Sequence, residues 1–118
     1  MDDKKYPTRD EIEKADDRPW KDVPVPELGP DCMVRVGVMS APLLLSWDAA
    51  RKDVPREEYP GLLVARAAVD PNTGGRLFGD EDAAWLNTKN WQWIARVYQA
   101  AAELNGLTET SVETATKN

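Results

Sequence analysis

Apolar and polar positions along this chain pass from an almost wholly polar stretch to a two-fold and then a helical period, and each stretch predicts its own elements. Residues 1–18 are almost wholly polar. Thr8 followed three positions later by Glu11 is a capping-box pattern, so a short helix is predicted from Arg9, with only Ile12 and Ala15 able to pack. Around Pro24 and Pro26 the pattern becomes two-fold. Two alternating prolines deny ladder donors and confine a strand to a sheet edge. Leu28-Gly-Pro-Asp31 is a turn signal. Cys32-Met-Val-Arg-Val-Gly-Val-Met39 then alternates strictly at Val34, Val36 and Val38, so a β-hairpin is predicted over 20–38, its second strand the stronger.

Beyond Met39 the period becomes helical. Ser40 precedes Pro42 as an N-cap would, Met39 and Leu44 are spaced as a hydrophobic staple, and Leu43, Trp47, Ala50 and Val54 form one stripe, predicting a helix over about 41–53. Pro55 and Pro60 interrupt it, and a second helix is predicted over 60–69, with a strand as the alternative reading of residues 62–69. Asp70-Pro-Asn-Thr-Gly-Gly75 is a turn cluster. Gly79-Asp-Glu-Asp82 opens a short helix over 80–87, and a long helix follows over 89–105. That helix is apolar on two sides, with Trp91, Ile94, Ala95 and Tyr98 on one and Trp93, Val97, Ala100 and Leu104 on the other, which predicts a central position covered on both flanks. Asn105-Gly106 ends it, and a short terminal helix is predicted within 108–118. The sum is an α+β fold, mainly α-helical with an N-terminal β-hairpin: a charged, weakly ordered segment 1–18, one globular domain 19–107, and a terminal segment 108–118.

Composition narrows the chemistry. The chain has 118 residues and a net charge of −6, which argues against a partner bound through a phosphate backbone. It contains no histidine, so imidazole bases, Ser-His-Asp and Cys-His nucleophiles and His-ligated metals are closed to it. The lone Cys32 can form neither an internal disulfide nor a multi-thiolate zinc site, and it reads as a small apolar packing residue in a reducing compartment. No apolar run approaches the length of a membrane span, and the polar start lacks a secretory signal's apolar stretch. No cofactor is expected.

One segment has metal-ligand spacing. Counted from Asp70, an EF-hand-like loop 70–81 would place Asp70 at position 1, Asn72 at 3, Gly75 at the sharp turn and Glu81 at 12, but Gly74 at position 5 supplies no side-chain oxygen. The bland alternative is a glycine-rich turn with Asp80 at its end. The carboxylate pairs Glu57/Glu58 and Asp80/Glu81/Asp82 read as solvated charge, and no phosphate loop, dinucleotide fingerprint or nucleophile elbow occurs. The five tryptophans are more informative, because a core this small encloses about three and tryptophan is enriched among interface anchors. Trp20, beside two prolines in an edge segment, is the expected exposed anchor. Trp20, Val23, Val25, Trp91 and Trp93 are the candidate partner-contact residues.

The order of these segments resembles the tail assembly chaperones of long-tailed, siphovirus-type bacteriophages and prophages. Val23-Pro-Val-Pro-Glu-Leu-Gly29 looks like that family's hairpin entry and Val34-Arg-Val36 like its second strand. Asp70 with Gly75-Arg-Leu-Phe78 and Asp80/Asp82 is similar to its Asp-x-x-Gly-x-x-Leu-Phe turn, and Leu104-Asn-Gly-Leu107 to its closing segment. Two features depart from the pattern: the turn is lengthened by Pro71 to Gly74, and the helix after Ser40 lacks a charged Glu-Arg pair at its start. The resemblance implies a non-enzymatic protein of the host bacterial cytoplasm, absent from the mature virion. It would hold the tape-measure protein, and tail-tube subunits, before polymerisation, with self-association open and no nucleic acid or membrane as partner. The rival readings are a structural virion component, such as a tail-completion or head–tail joining protein, and a small calcium-binding protein using Asp70, Asn72 and Glu81.

Overall fold

A computed structural model describes residues 4–107. Helix α1 (Arg9–Lys14) begins as predicted: Thr8 Oγ1 accepts from the Glu11 amide at 3.2 Å, and Glu11 Oε1 accepts from the Thr8 amide at 2.9 Å. None of its residues is buried, so local contacts hold it, the capping box and the Arg9–Glu13 ion pair at 3.4 Å among them.

The hairpin is present, and a third strand enlarges it. Strands β1 (Trp20–Pro24) and β2 (Met33–Gly37) are antiparallel, with Trp20 opposite Gly37, Asp22 opposite Arg35 and Pro24 opposite Met33. Their loop contains a 3-10 turn at Pro26–Leu28 and is closed by the Val25 amide donating to the Cys32 carbonyl at 2.9 Å. That bond fixes which pairs are hydrogen-bonded, and it leaves Pro24 in a non-bonded pair, where an N–H would point off the sheet. The proline therefore costs no ladder bond, and β1 is an edge strand as its sequence requires. On the other side of β2 lies β3 (Ala68–Val69), also antiparallel, giving the order β1-β2-β3.

Side-chain parity then sorts the sheet into two faces. Val23, Val25, Val34 and Val36 are buried on the inner face, while Trp20, Met33 and the Asp22–Arg35 pair occupy the outer one. Helix α5 (Trp91–Leu104) lies on the inner face and packs against β1, β2 and helix α3 (Tyr59–Ala67). The expected central helix is thus present, burying Trp93, Ile94, Val97, Ala100, Ala101 and Ala102. It begins at Trp91 rather than Lys89, because the Asn90 side chain caps it by accepting from the Gln92 amide. At its other end Gly106, at φ 70°, donates to Glu103 O and Leu107 donates to Ala102 O. This is a Schellman closure in which glycine supplies the left-handed residue.

Helix α2 (Ala41–Arg51) is shorter than the predicted 41–53 and carries Trp47 into the core. Its entry differs from expectation in two respects. Ser40 has N-cap backbone angles, but its hydroxyl makes no cap bond, and Leu44 is exposed while Leu43 packs on the core. The junction is tied down from elsewhere: Asn105 Oδ1 accepts from the Met39 amide at 2.8 Å, and its Nδ2 donates to the Gly37 carbonyl at 3.2 Å. Both alternatives for 62–69 hold in part, since the segment is α3 to Ala67 and strand over Ala68–Val69. The predicted helix 80–87 is a 3-10 turn (Asp80–Asp82) running into helix α4 (Ala83–Leu86). The two short helices meet at Gly61, whose amide donates to Asn87 Oδ1 at 2.8 Å while Asn87 Nδ2 donates to Glu58 O. A Cβ at Gly61 would fall on the Ala83 carbonyl oxygen and the Asn87 amide, so the contact admits only glycine. Leu63, Val64, Leu86 and Val97 are fully buried at this layer, each contributing about 2 kcal/mol by removal from water. The expected helix within 108–118 lies outside the described residues.

Candidate interaction surface

The five candidate contact residues divide cleanly. Trp20 and Trp91 stand at the surface, 53% and 72% exposed. Val23, Val25 and Trp93 are core residues, at 2%, 0% and 5%, and are corrected as such. The reason is geometric. Val23 and Val25 share the parity of Val34 and Val36 and so face α5, and Trp93 lies about 200° around the helix from Trp91. The two surface indoles are therefore not one patch with the other three.

Around Trp20 the outer sheet face is organised by one arginine. Arg35, across the strand pair, donates from Nε to Asp22 Oδ1 at 2.8 Å and from Nη2 to Asp22 Oδ2 at 3.1 Å, and its guanidinium carbon lies 3.6 Å from the Trp20 ring centroid. The forked pair holds the guanidinium flat, which is the pose that stacks on an indole. It also holds the Asp22 carboxyl below its ordinary range, chiefly through the hydrogen bond. Met33, 56% exposed on the same face, completes a surface of one indole, one thioether and a neutralised ion pair. An immobilised aromatic and a flexible thioether exposed at opposite ends of one sheet face are residue types enriched where proteins meet proteins. At the far corner of the hairpin, Arg96 of α5 donates to both Glu27 carboxylate oxygens, at 2.9 and 2.7 Å, and to the Pro24 carbonyl at 2.9 Å. Those bonds clamp the loop to the helix and hold the Glu27 carboxyl down to about 2.

A second feature lies at the other end of the sheet, a groove of about 410 Å³ between the β2–α2 junction, the end of α3 and the 70–76 loop. Arg18, Arg66 and Arg76 line it, and none of its lining residues is acidic. Arg66, 95% buried, donates to Ser46 Oγ and to the Leu62 carbonyl, each at 3.1 Å. Arg76 donates to the Ala65 carbonyl at 2.9 Å and to Asp80 Oδ1 at 2.7 Å, while Asp80 Oδ2 lies 3.7 Å from Arg66. Asp80 is held below the usual carboxylate range by the Arg76 bond first, with Arg66 adding to it. Sequence reasoning missed all three arginines. The available signal was Arg66, the one charge inside the apolar run 62–68.

Asp70, Asn72 and Glu81 are not gathered as ligands. Asp70 Oδ1 accepts from the Asn72 amide at 2.9 Å, and the loop is closed by the Asp70 amide donating to Gly75 O at 2.8 Å. The left-handed residue is Gly74, at φ 77°, rather than Gly75. Asp80, expected at the end of that turn, pairs with Arg76, and it is Asp82 Oδ2 that accepts from the Gly79 amide at 2.8 Å to open the next turn. Among the described residues no group of three or more Cys, Asp or Glu side chains is placed to hold a metal ion, and no helix is long and apolar enough to cross a membrane. Compared with known proteins, the chain matches no family model, no curated protein and no solved structure.

Proposed function

We propose that this protein is a non-enzymatic tail assembly chaperone of a long-tailed phage or prophage. In this reading it holds the tape-measure protein, and tail-tube subunits, in the host cytoplasm until the tube polymerises, and it is absent from the finished virion. The observation that carries the reading is the open outer face of the sheet, where Trp20 and Met33 remain more than half exposed although the same strands bury Val23, Val34 and Val36 on the other side. An indole and a thioether left in water at the two ends of the hairpin add nothing to the monomer's core, and a protein that covers another's apolar surface needs such exposed anchors. Net charge of −6 suits the role, since it keeps the loaded complex apart from its copies. The segment order from the hairpin entry to Leu107 supports the same family by resemblance.

The test is co-expression with the phage's tape-measure protein. The reading predicts that the tape-measure protein becomes soluble and co-purifies only when this chain is present. An unchanged insoluble tape-measure protein contradicts it. Recovery of this chain as a stoichiometric part of purified virions would instead establish the virion-component reading.

A further inference from the structure

Cations are scarce in this chain, fifteen lysines and arginines against twenty-one acids, yet three arginines converge on one groove that no acidic residue lines. Asp80, at the rim, is shared by Arg66 and Arg76, and Arg18 makes no ion pair among the described residues, so three positive charges face one negative. Two of the three are fixed before any ligand arrives: Arg66 by Ser46 and Leu62, Arg76 by Ala65. Fixed donors bind an anion without a further loss of rotamer entropy. Between them the wall is apolar, formed by Val38, Met39, Leu43 and Val69. The groove also runs onto the outer sheet face. Gly37 and Val69 line it, Gly37 is opposite Trp20 across the strands, and a Cβ on Gly37 would touch Val69 Cγ2, which places both residues on the Trp20 side.

We propose that this groove docks an extended acidic segment of the protein partner, with a carboxylate between Arg18 and Arg76 and its small apolar neighbours against Val38, Leu43 and Val69. Charge complementarity selects the segment. A volume of about 410 Å³ fits a few residues rather than a domain face. A free small anion would use the arginines and leave the apolar wall empty. The inference deepens the chaperone reading by naming the chemistry of the bound segment, and it is tested without the phage partner, so that each can fail alone.

The test titrates the full chain with a fluorescein-labelled octapeptide of alternating glutamate and valine, a lysine–valine counterpart, and inorganic phosphate as competitor. The acidic peptide is expected to bind and to weaken as salt rises from low to physiological strength, while the lysine peptide does not bind. Arg18→Glu, at a residue with no ion pair among the described residues, is expected to weaken binding about fivefold or more. Amide shifts on saturation are expected at Gly37, Gly74 and Gly75. Equal binding of both peptides, indifference to Arg18→Glu, amide shifts confined to other surfaces, or complete displacement by millimolar phosphate would each overturn the proposal. Peptide binding as expected alongside failed co-expression would retain the groove and reject the tape-measure protein as its partner.

Discussion

Arg35 lies 3.6 Å from the centre of the Trp20 ring while both of its forked donors are held by Asp22. The stack orders an exposed indole without burying it, so its contribution to stability is small. Trp20→Ala is expected to lower the unfolding free energy by about 0.5–1 kcal/mol, read from urea denaturation, and to leave the far-ultraviolet dichroism unchanged. A loss of several kcal/mol would mean that Trp20 is a core residue.

The tryptophans predict a split quenching signal. Trp47 and Trp93 are buried, and Trp20, Trp85 and Trp91 are exposed. Iodide is expected to quench only part of the emission, and a Trp20→Phe/Trp91→Phe variant is expected to lose most of the quenchable fraction. Uniform quenching of all the emission would contradict the placement of the indoles.

Gly61→Ala forces a methyl onto the Ala83 carbonyl and the Asn87 amide. Separation of α3 from the 83–87 segment is expected to cost about 1–3 kcal/mol, measured by thermal or urea unfolding. Asn87→Ala leaves the partly buried Gly61 amide without its acceptor and is expected to cost about 1–2 kcal/mol. Alanine at the open, left-handed Gly106 meets no neighbour, so its penalty comes from backbone conformation alone.

The acid limb of stability follows from the ion pairs. Arg96 holds Glu27 at about 2 against 4.5 for the free carboxyl, a depressed value in the folded state. The linked stability is therefore present in full above 4.5 and lost as the pH falls toward 2. Asp22, Asp48, Asp80 and Asp82 are lowered too, each first by its own hydrogen bond, and act with the same sign from 3.8 downward. Glu27→Gln is expected to flatten the limb between 4.5 and 2 and to lower the melting temperature at neutral pH. With no histidine, the melting temperature is expected to change little between pH 6 and 8.

How much of this was legible depended on whether a feature is local. The capping box at Thr8, the edge prolines, the alternating valines and the Asn105-Gly106 stop are written within a few residues of one another, and each formed. The third strand was legible only as the alternative reading of residues 62–69 and not in its place at Ala68–Val69, because β2 beside it defines it and two residues carry no period of their own. For the surface, parity was the unused information: Val23 and Val25 alternate in step with Val34 and Val36, which predicts burial together and leaves Arg35 outside with Trp20. The arginine groove needed tertiary contact, since Arg18, Arg66 and Arg76 come from three separate segments and only the lone charge at Arg66 hinted at it.

The account rests on the outer sheet face being the surface that holds the partner. Its most direct measurement compares the tape-measure protein co-purified by Trp20→Asp with that co-purified by Leu45→Asp, which places the same charge at an exposed leucine of α2 that neither belongs to the sheet nor lines the groove. The account predicts that Trp20→Asp abolishes the complex while the chain stays folded, and that Leu45→Asp retains it. A complex that survives Trp20→Asp, or is lost equally with Leu45→Asp, would contradict it.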